Sequence, residues 1–338
     1  MNLRTDYLGL SLRHPVIAGA SPQSATLDGI RRLEDGGASA IVAAPVYEEE
    51  VLAEDAAIEA ASAIGAESHP EVSSYLPPLP GYRGALGAHI EMIRRAAESI
   101  SVPLIAGLNG TTHEGWTSIA ADLQQAGAAA LEVNLFHIPT DPLETSAEVE
   151  AKLVATVREV CKTVTIPVAV KLGPNFTAPG SLAVDLAGVG ADGLVLFARG
   201  YEPDIDLETL SFGPSLHPAV AEAIGFPLMW IGLLTQKTRL SLAAARGVEG
   251  AEEVIKYLLA GADVVQVASS LLRYGPGHLD HIVADLAEWI AAHDADSVDA
   301  IRGRLSADRL GRPEAALRAQ YVRAVLRDNP RQELGEAA

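Results

Sequence analysis

Residues 246–270 read RGVEGAEEVIKYLLAGADVVQVASS. A turn with two glycines opens the amphipathic stretch AEEVIKYLLA, Gly261 stops it, and the apolar run DVVQVA follows at once. Glycine just past a last helical turn enters the left-handed conformation without a Cβ penalty, so it is a natural stop. Helix, glycine stop and buried strand therefore form one unit, and the unit recurs. Gly37-Ala38 precedes SAIVAAP, Gly127-Ala128 precedes AALEVN and Gly190-Ala191 precedes DGLVLFA, each after a helix-periodic stretch.

A second kind of strand entrance alternates with this one. Pro15 leads VIAGA, Pro103 leads LIAGLNG, Pro167 leads VAVKLG and Pro227 leads LMWIGLL. Short apolar strands with no polar face, alternating with amphipathic helices, belong to a parallel sheet covered on both sides. About eight such units over roughly 260 residues favour an α/β fold of the (β/α)8 TIM-barrel type over an open sheet. Two apolar runs, 228–234 and 241–247, compete for the seventh strand. The expected strand is 241–247, because the helix GAEEVIKYLLAG follows it directly.

The reading divides the chain into a barrel domain, 1–295, and a helical C-terminal extension, 296–338, with helices in SVDAIRGRLSADRL and PEAALRAQYVRAVLRDNP that cap the barrel or meet another subunit. Long loops after strands build the sites of barrels. Here they follow strand two, at 45–83, and strand four, at 135–146. The first begins as an acidic helix and ends in a Pro- and Tyr-containing loop.

The 338 residues are 49% hydrophobic and 20% charged, the composition of a chain that buries a full core. A formal charge of -19 repels nucleic acid and anionic lipid, although a local basic pocket can still take one small phosphate. Cys161 is the single cysteine, so disulfides and cysteine-built metal or iron–sulfur sites are excluded and a reducing, cytoplasmic setting is expected. The N-terminus MNLRTDYLGLSLRHP has no apolar core of an export signal, and no apolar run reaches membrane-spanning length. His89 and His113 stand alone, so no metal site is expected.

Polar residues where the apolar runs stop are the site candidates of a barrel. Asn109, Asn134, Lys171 and the pair Ser269-Ser270 hold such positions. Lys171 is costly inside a barrel unless paired. The reading favours an anionic ligand for it over an ion pair with Glu132. Gly247 and Gly250 frame a helix start which, with the serines, can hold a phosphate or be plain turn. His137 is a candidate proton-transfer group, since imidazole titrates near neutrality, and Arg199 a candidate anchor for a substrate carboxylate. Each has a bland alternative, a surface histidine and an ordinary ion pair.

With these residues in hand, the chain resembles the dihydroorotate dehydrogenase family of FMN flavoproteins over roughly residues 3–290. The carriers are LGLSLRHPVIAGAS, EVNLFHIPTD, IPVAVKLGPNF and the block RGVEGAEEVIKYLLAGADVVQVASSLL. The resemblance implies that Lys171 contacts the N1/O2 edge of the isoalloxazine, that Asn134 touches flavin and substrate, and that the backbone of Ala20 meets the flavin. Asn109 joins the cofactor residues, and Gly247, Gly250, Ser269 and Ser270 form the phosphate cradle. It also implies a homodimer. An electron-acceptor protein is a further expected partner.

The chain departs from the family pattern around the substrate. After strand four the family has Asn-x-Ser-(Cys or Ser)-Pro-Asn, where this chain has Asn134-Leu-Phe-His-Ile-Pro139. Phe136 stands for the serine, His137 for the base and Pro139 for the second asparagine. Ala43-Ala44 stand for a lysine-serine pair, SSYLPPLPGY for an asparagine-bearing loop and Ala198 for an asparagine after strand six. A site built on hydrogen bonds discriminates strongly through them. The expectation is an FMN oxidoreductase on the CH–CH bond of a small anionic substrate other than dihydroorotate. A genuine dihydroorotate dehydrogenase and a flavin-binding electron relay are the alternatives.

Overall fold

The computed structural model describes residues 1–53, 56, 84–109, 113–198, 204–213 and 224–327. Its eight barrel strands are β3 (Val16–Ala18), β4 (Ile41–Val42), β6 (Leu104–Asn109), β7 (Ala130–Leu135), β8 (Val168–Leu172), β9 (Gly193–Leu196), β12 (Ser241–Ala244) and β13 (Val264–Val267). They pair in parallel in that order, and β13 returns to β3, so the ring is closed. β5 (Val46–Tyr47) continues β4 beyond Pro45 and pairs with the upper end of β6.

The glycine stops behave as expected, because Gly37, Gly127, Gly190 and Gly261 all have positive φ, between 97° and 121°. The proline-led entrances hold for β3, β6 and β8. Pro227 is the exception: LMWIGLL lies in the helix Gly225–Leu234, and 241–244 is the seventh strand. An apolar run without periodicity fits a helix as well as a buried strand, and here Leu228, Met229 and Trp230 are only half-buried. Its proline falls in the first turn, where a missing N–H costs no intrahelical bond. The chosen run ends as strand at Ala244, so 245–247 form a turn instead.

Alternation along each strand assigns the barrel's inside. Ile17, Ala40, Val42, Ile105, Ala130, Ala169, Val195, Ala243 and Val264 form one buried cluster with Tyr7, Leu8 and Leu12. The last three come from the hairpin β1 (Thr5–Tyr7) and β2 (Leu10–Leu12), which plugs the amino end of the barrel. A larger cluster joins the outer strand faces to the helices.

The C-terminal extension begins under the same end. The expected first helix, 297–310, is two short pieces, Val298–Ile301 and a 3₁₀ turn Ala307–Leu310. Gly303, at φ 67°, lies between them and ends the first. Arg302 bridges Asp263 and Asp299 and bonds Thr5, tying this segment to the barrel base. The second expected helix is Pro313–Arg327. Residues 48–53 after β5 are helical, as expected for the start of the strand-two loop, and the Pro- and Tyr-containing part lies outside the described residues.

His14 couples this base to pH. Its ring lies buried, with Nε2 against Gly37 O at 2.9 Å, while Nδ1 accepts from Val16 N–H at 3.3 Å. Both bonds together require the neutral ring with its proton on Nε2. Burial, helped by Arg13, lowers its pKa from 6.5 to about 4. The unfolded chain therefore takes up the proton first as pH falls. Stability is full above about pH 6.5 and is lost progressively down to about pH 4, by about 3 kcal/mol in all. Urea unfolding at pH 7 and 4.5 should show the gap between wild type and His14→Gln narrowing by about 2 kcal/mol at the lower pH. A gap independent of pH would remove His14 from the acid response.

Candidate active site at the carboxyl rim of the barrel

One layer above the apolar interior, three polar side chains share the barrel axis. Glu132 is two residues beyond Ala130 on β7, Lys171 two beyond Ala169 on β8, and Gln266 two beyond Val264 on β13, so all three face inward. Lys171 Nζ donates to Glu132 Oε1 at 3.0 Å and to Gln266 Oε1 at 3.2 Å. Gln266 Nε2 donates to the other carboxylate oxygen of Glu132. The triangle is closed, and it crosses the ring, because β13 lies opposite β7.

This arrangement corrects the reading of Lys171 as a cation left for an anionic ligand. The ion pair with Glu132 forms, and it offsets the lysine's charge. Two ammonium protons are used inside the triangle, and one donor remains on a side chain 16% exposed. The sequence reading missed Gln266, although one polar residue inside VVQVA, in phase with the interior, was its signal. Gly19 lies beside it: a Cβ there would stand 3.2 Å from that of Gln266, which would have to give by a few tenths of an ångström.

Asn134 pairs in register with Lys171, so the two side chains stand next to each other on the rim. Its Oδ1 is buried and has no hydrogen-bond partner among the described residues. A buried acceptor left unmatched is costly, and a ligand N–H at this position would satisfy it. Asn109 ends β6 opposite Tyr47, and Ala20 packs at the edge of the inner cluster above β3. Below, Tyr7 is fully buried, its hydroxyl has no partner among the described residues, and burial, then Glu132, pushes its pKa well up.

In the turn after β12, where a phosphate cradle was expected, part of the donors are engaged within the chain. Gly247 takes φ 69°, and Gly250 caps the helix Ala251–Ala260. The N–H groups of Glu249 and Gly250 are already bonded to Glu253 Oε2, at 3.2 and 2.9 Å. Ser270 is fully buried and donates to Val248 O at 3.0 Å, so its hydroxyl holds the turn together. Ser269 stays half-buried at the start of the short helix Ser269–Tyr274. Arg246, which the sequence reading quoted without a role, brings to the same turn a buried Nε with no partner among the described residues.

His137 lies apart from the triangle. It sits in the loop after β7, half exposed, with Nε2 3.5 Å from Glu144 Oε2. Glu144 is held below the usual carboxylate range chiefly by Lys152, with His137 adding to it. The imidazole lines a cavity of about 200 Å³ between this loop, the start of the helix Ser146–Thr163 and residues 173–177. Phe136, Ile138 and Phe176 form much of its wall, and its carboxylates are Glu144 and Glu150. Arg199 lies outside the described residues. Among these residues no helix is long and apolar enough to cross a membrane.

Comparison with known proteins shows the family. Residues 81–290 match the family model for dihydroorotate dehydrogenase. A chain of Aeropyrum pernix provisionally named dihydroorotate dehydrogenase A (fumarate) is 30% identical over 66% of this chain and 73% of its own length. The catalytic subunits of dihydroorotate dehydrogenase B (NAD(+)) from Shouchella clausii and Methanothermobacter thermautotrophicus are 26% and 25% identical. The former match covers 66% of this chain and 74% of the relative, the latter 89% and 97%. A closed barrel with a polar layer at its carboxyl rim, matched over most of its length by such chains, belongs to the dihydroorotate dehydrogenase family of flavin-dependent oxidoreductases.

Proposed function

We propose that the chain holds FMN at the barrel mouth and oxidises or reduces a CH–CH bond of a small molecule other than dihydroorotate. The unmatched Asn134 acceptor beside the triangle-held Lys171 carries this reading. An acceptor next to a single remaining ammonium donor suits the ring N–H groups and carbonyl edge of a flavin. When bound, the flavin supplies hydride transfer. Lys171 gives that edge a fixed positive group, and Glu132 with Gln266 keeps the ammonium in one place. Arg246, Gly247 and Ser269 supply positive charge and donors for the phosphate.

His137 is assigned the proton. Glu144 orients the imidazole, and an oriented base in the loop after strand four can accept a proton from substrate. The walls around it favour a substrate less anionic than the sequence suggested. Lys171 is already balanced by Glu132, and the cavity pairs aromatic and aliphatic side chains with two carboxylates. Phe136, 52% exposed where the family keeps a serine, offers apolar surface where dihydroorotate needs hydrogen bonds.

Anaerobic stopped-flow mixing of the FMN-loaded protein with a panel of CH–CH donors that includes dihydroorotate tests the substrate. Reduction by a partly apolar donor, with none by dihydroorotate, is expected. Rapid reduction by dihydroorotate would establish the orotate enzyme instead, and reduction only by a protein partner would establish an electron relay. His137→Ala should keep its FMN and slow flavin reduction by about 10²-fold or more. Unchanged kinetics would remove His137 from the chemistry.

A further inference from the structure

A groove of about 640 Å³ lies between the helices Gly225–Leu234, Ala251–Ala260 and Pro313–Arg327. Leu305 N–H donates to Leu259 O at 2.8 Å, near the end of the helix that leads into β13. The groove is therefore at the amino end of the barrel, away from the polar rim. Its size falls within the roughly 300–1,000 Å³ of small-molecule sites. Leu228 and Leu233 from the first helix, Leu259 from the second and Leu317 from the third give it an apolar floor. Leu305 also lines it, 70% exposed.

The charges around this floor have one sign. Lys256, Arg304 and Arg309 line the groove, and no carboxylate does among the described residues. Lys256 is paired with Glu252 on its own helix, and Arg304 is held by a bond from Nε to Ala300 O at 2.6 Å. The Arg309 side chain takes no hydrogen bond or ion pair among the described residues. In a chain of 44 acidic and 25 basic residues this is a marked local exception. The hairpin of β10 (Asp204–Asp206) with β11 (Ser211–Gly213) also exposes apolar side chains, Leu207 and Leu210, but its charged groups are the acids Asp204, Asp206 and Glu208.

We propose that the groove binds a single-chain amphipathic anion, a long aliphatic tail with a carboxylate head. The tail takes the leucine floor, where each buried methylene is worth about fourfold in affinity. The head meets the guanidinium groups of Arg304 and Arg309, which match a carboxylate in charge and in planar geometry. A concave slot between helices admits one chain and not the plane of a bilayer, so the ligand is a free molecule.

Isothermal titration calorimetry of the full-length chain with dodecanoate, below the concentration at which it forms micelles, tests this. The expected result is one dodecanoate per chain, decanoate bound about 15-fold more weakly, and no binding of dodecyltrimethylammonium. Arg304→Gln with Arg309→Gln should weaken dodecanoate by about tenfold or more while circular dichroism stays like wild type. Leu305→Asp, at an exposed position, should weaken it as well. Equal binding of the anionic and cationic chains, uptake of many molecules per chain, or unchanged affinity in the folded double variant would overturn the proposal. Binding to phosphatidylglycerol vesicles without binding of dodecanoate would overturn it too, and would assign the surface to a membrane. The head-group and chain-length comparisons use the wild type alone, so they decide the matter even where a variant does not fold.

Discussion

Lys171→Met is expected to destabilise the chain by about 3–5 kcal/mol, because it leaves Glu132 buried and charged with its ionic partner removed. Glu132 is 4% exposed, so solvent cannot replace the ammonium. Gln266 Nε2 would remain its one donor from the triangle. Adding Glu132→Gln to that variant removes the stranded charge, and the double variant should recover most of the loss. A double-mutant cycle by urea unfolding reads both effects. Additive losses would mean that the two side chains do not act as a pair. Should the single variant prove too unstable, the comparison of wild type with the double variant still bounds the pair's net worth, which is expected to be small.

Glu132→Gln and Gln266→Glu should shift the potential of bound FMN in opposite directions. The first removes a negative charge from beside Lys171 and leaves its cation uncompensated, which favours a reduced, anionic ring. The second adds a negative charge to the same triangle and disfavours it. Tenfold in the ratio of affinities for the two redox states is about 30 mV for a two-electron couple, and shifts of about that size are expected. Opposite signs separate an electrostatic effect from loosening, since two variants that merely disturbed packing would share a direction. Potentiometric titration with a reference dye decides it, and shifts of one sign would contradict the assignment.

The barrel was legible because its punctuation is physical. Gly37, Gly127, Gly190 and Gly261 stop helices at positive φ, and the strands they open are buried on both faces and so apolar but for Glu132 and Asn134 on β7 and Gln266 on β13. The helix Gly225–Leu234 defeated that reasoning for the same reason: apolar on every side, it shows neither helical nor strand periodicity. At the site, strand ends pointed to Asn134 and Lys171, but which partner Lys171 would take depends on a contact across the barrel. Gln266 is 95 residues away in sequence, so no local pattern announces the bond. The turn after β12 was expected to hold a phosphate from its glycines and serines. That Glu253 already occupies two of its amides, and that Ser270 turns inward to Val248, are properties of the folded packing.

The central claim is that the mouth above Glu132, Lys171 and Gln266 is a flavin site. Saturating the purified, folded chain with FMN, removing free ligand by desalting and reading the visible spectrum measures it directly. One FMN retained per chain, with the retained fraction reduced in Asn134→Ala, is the result this account predicts. A folded wild-type chain that keeps no FMN would contradict it.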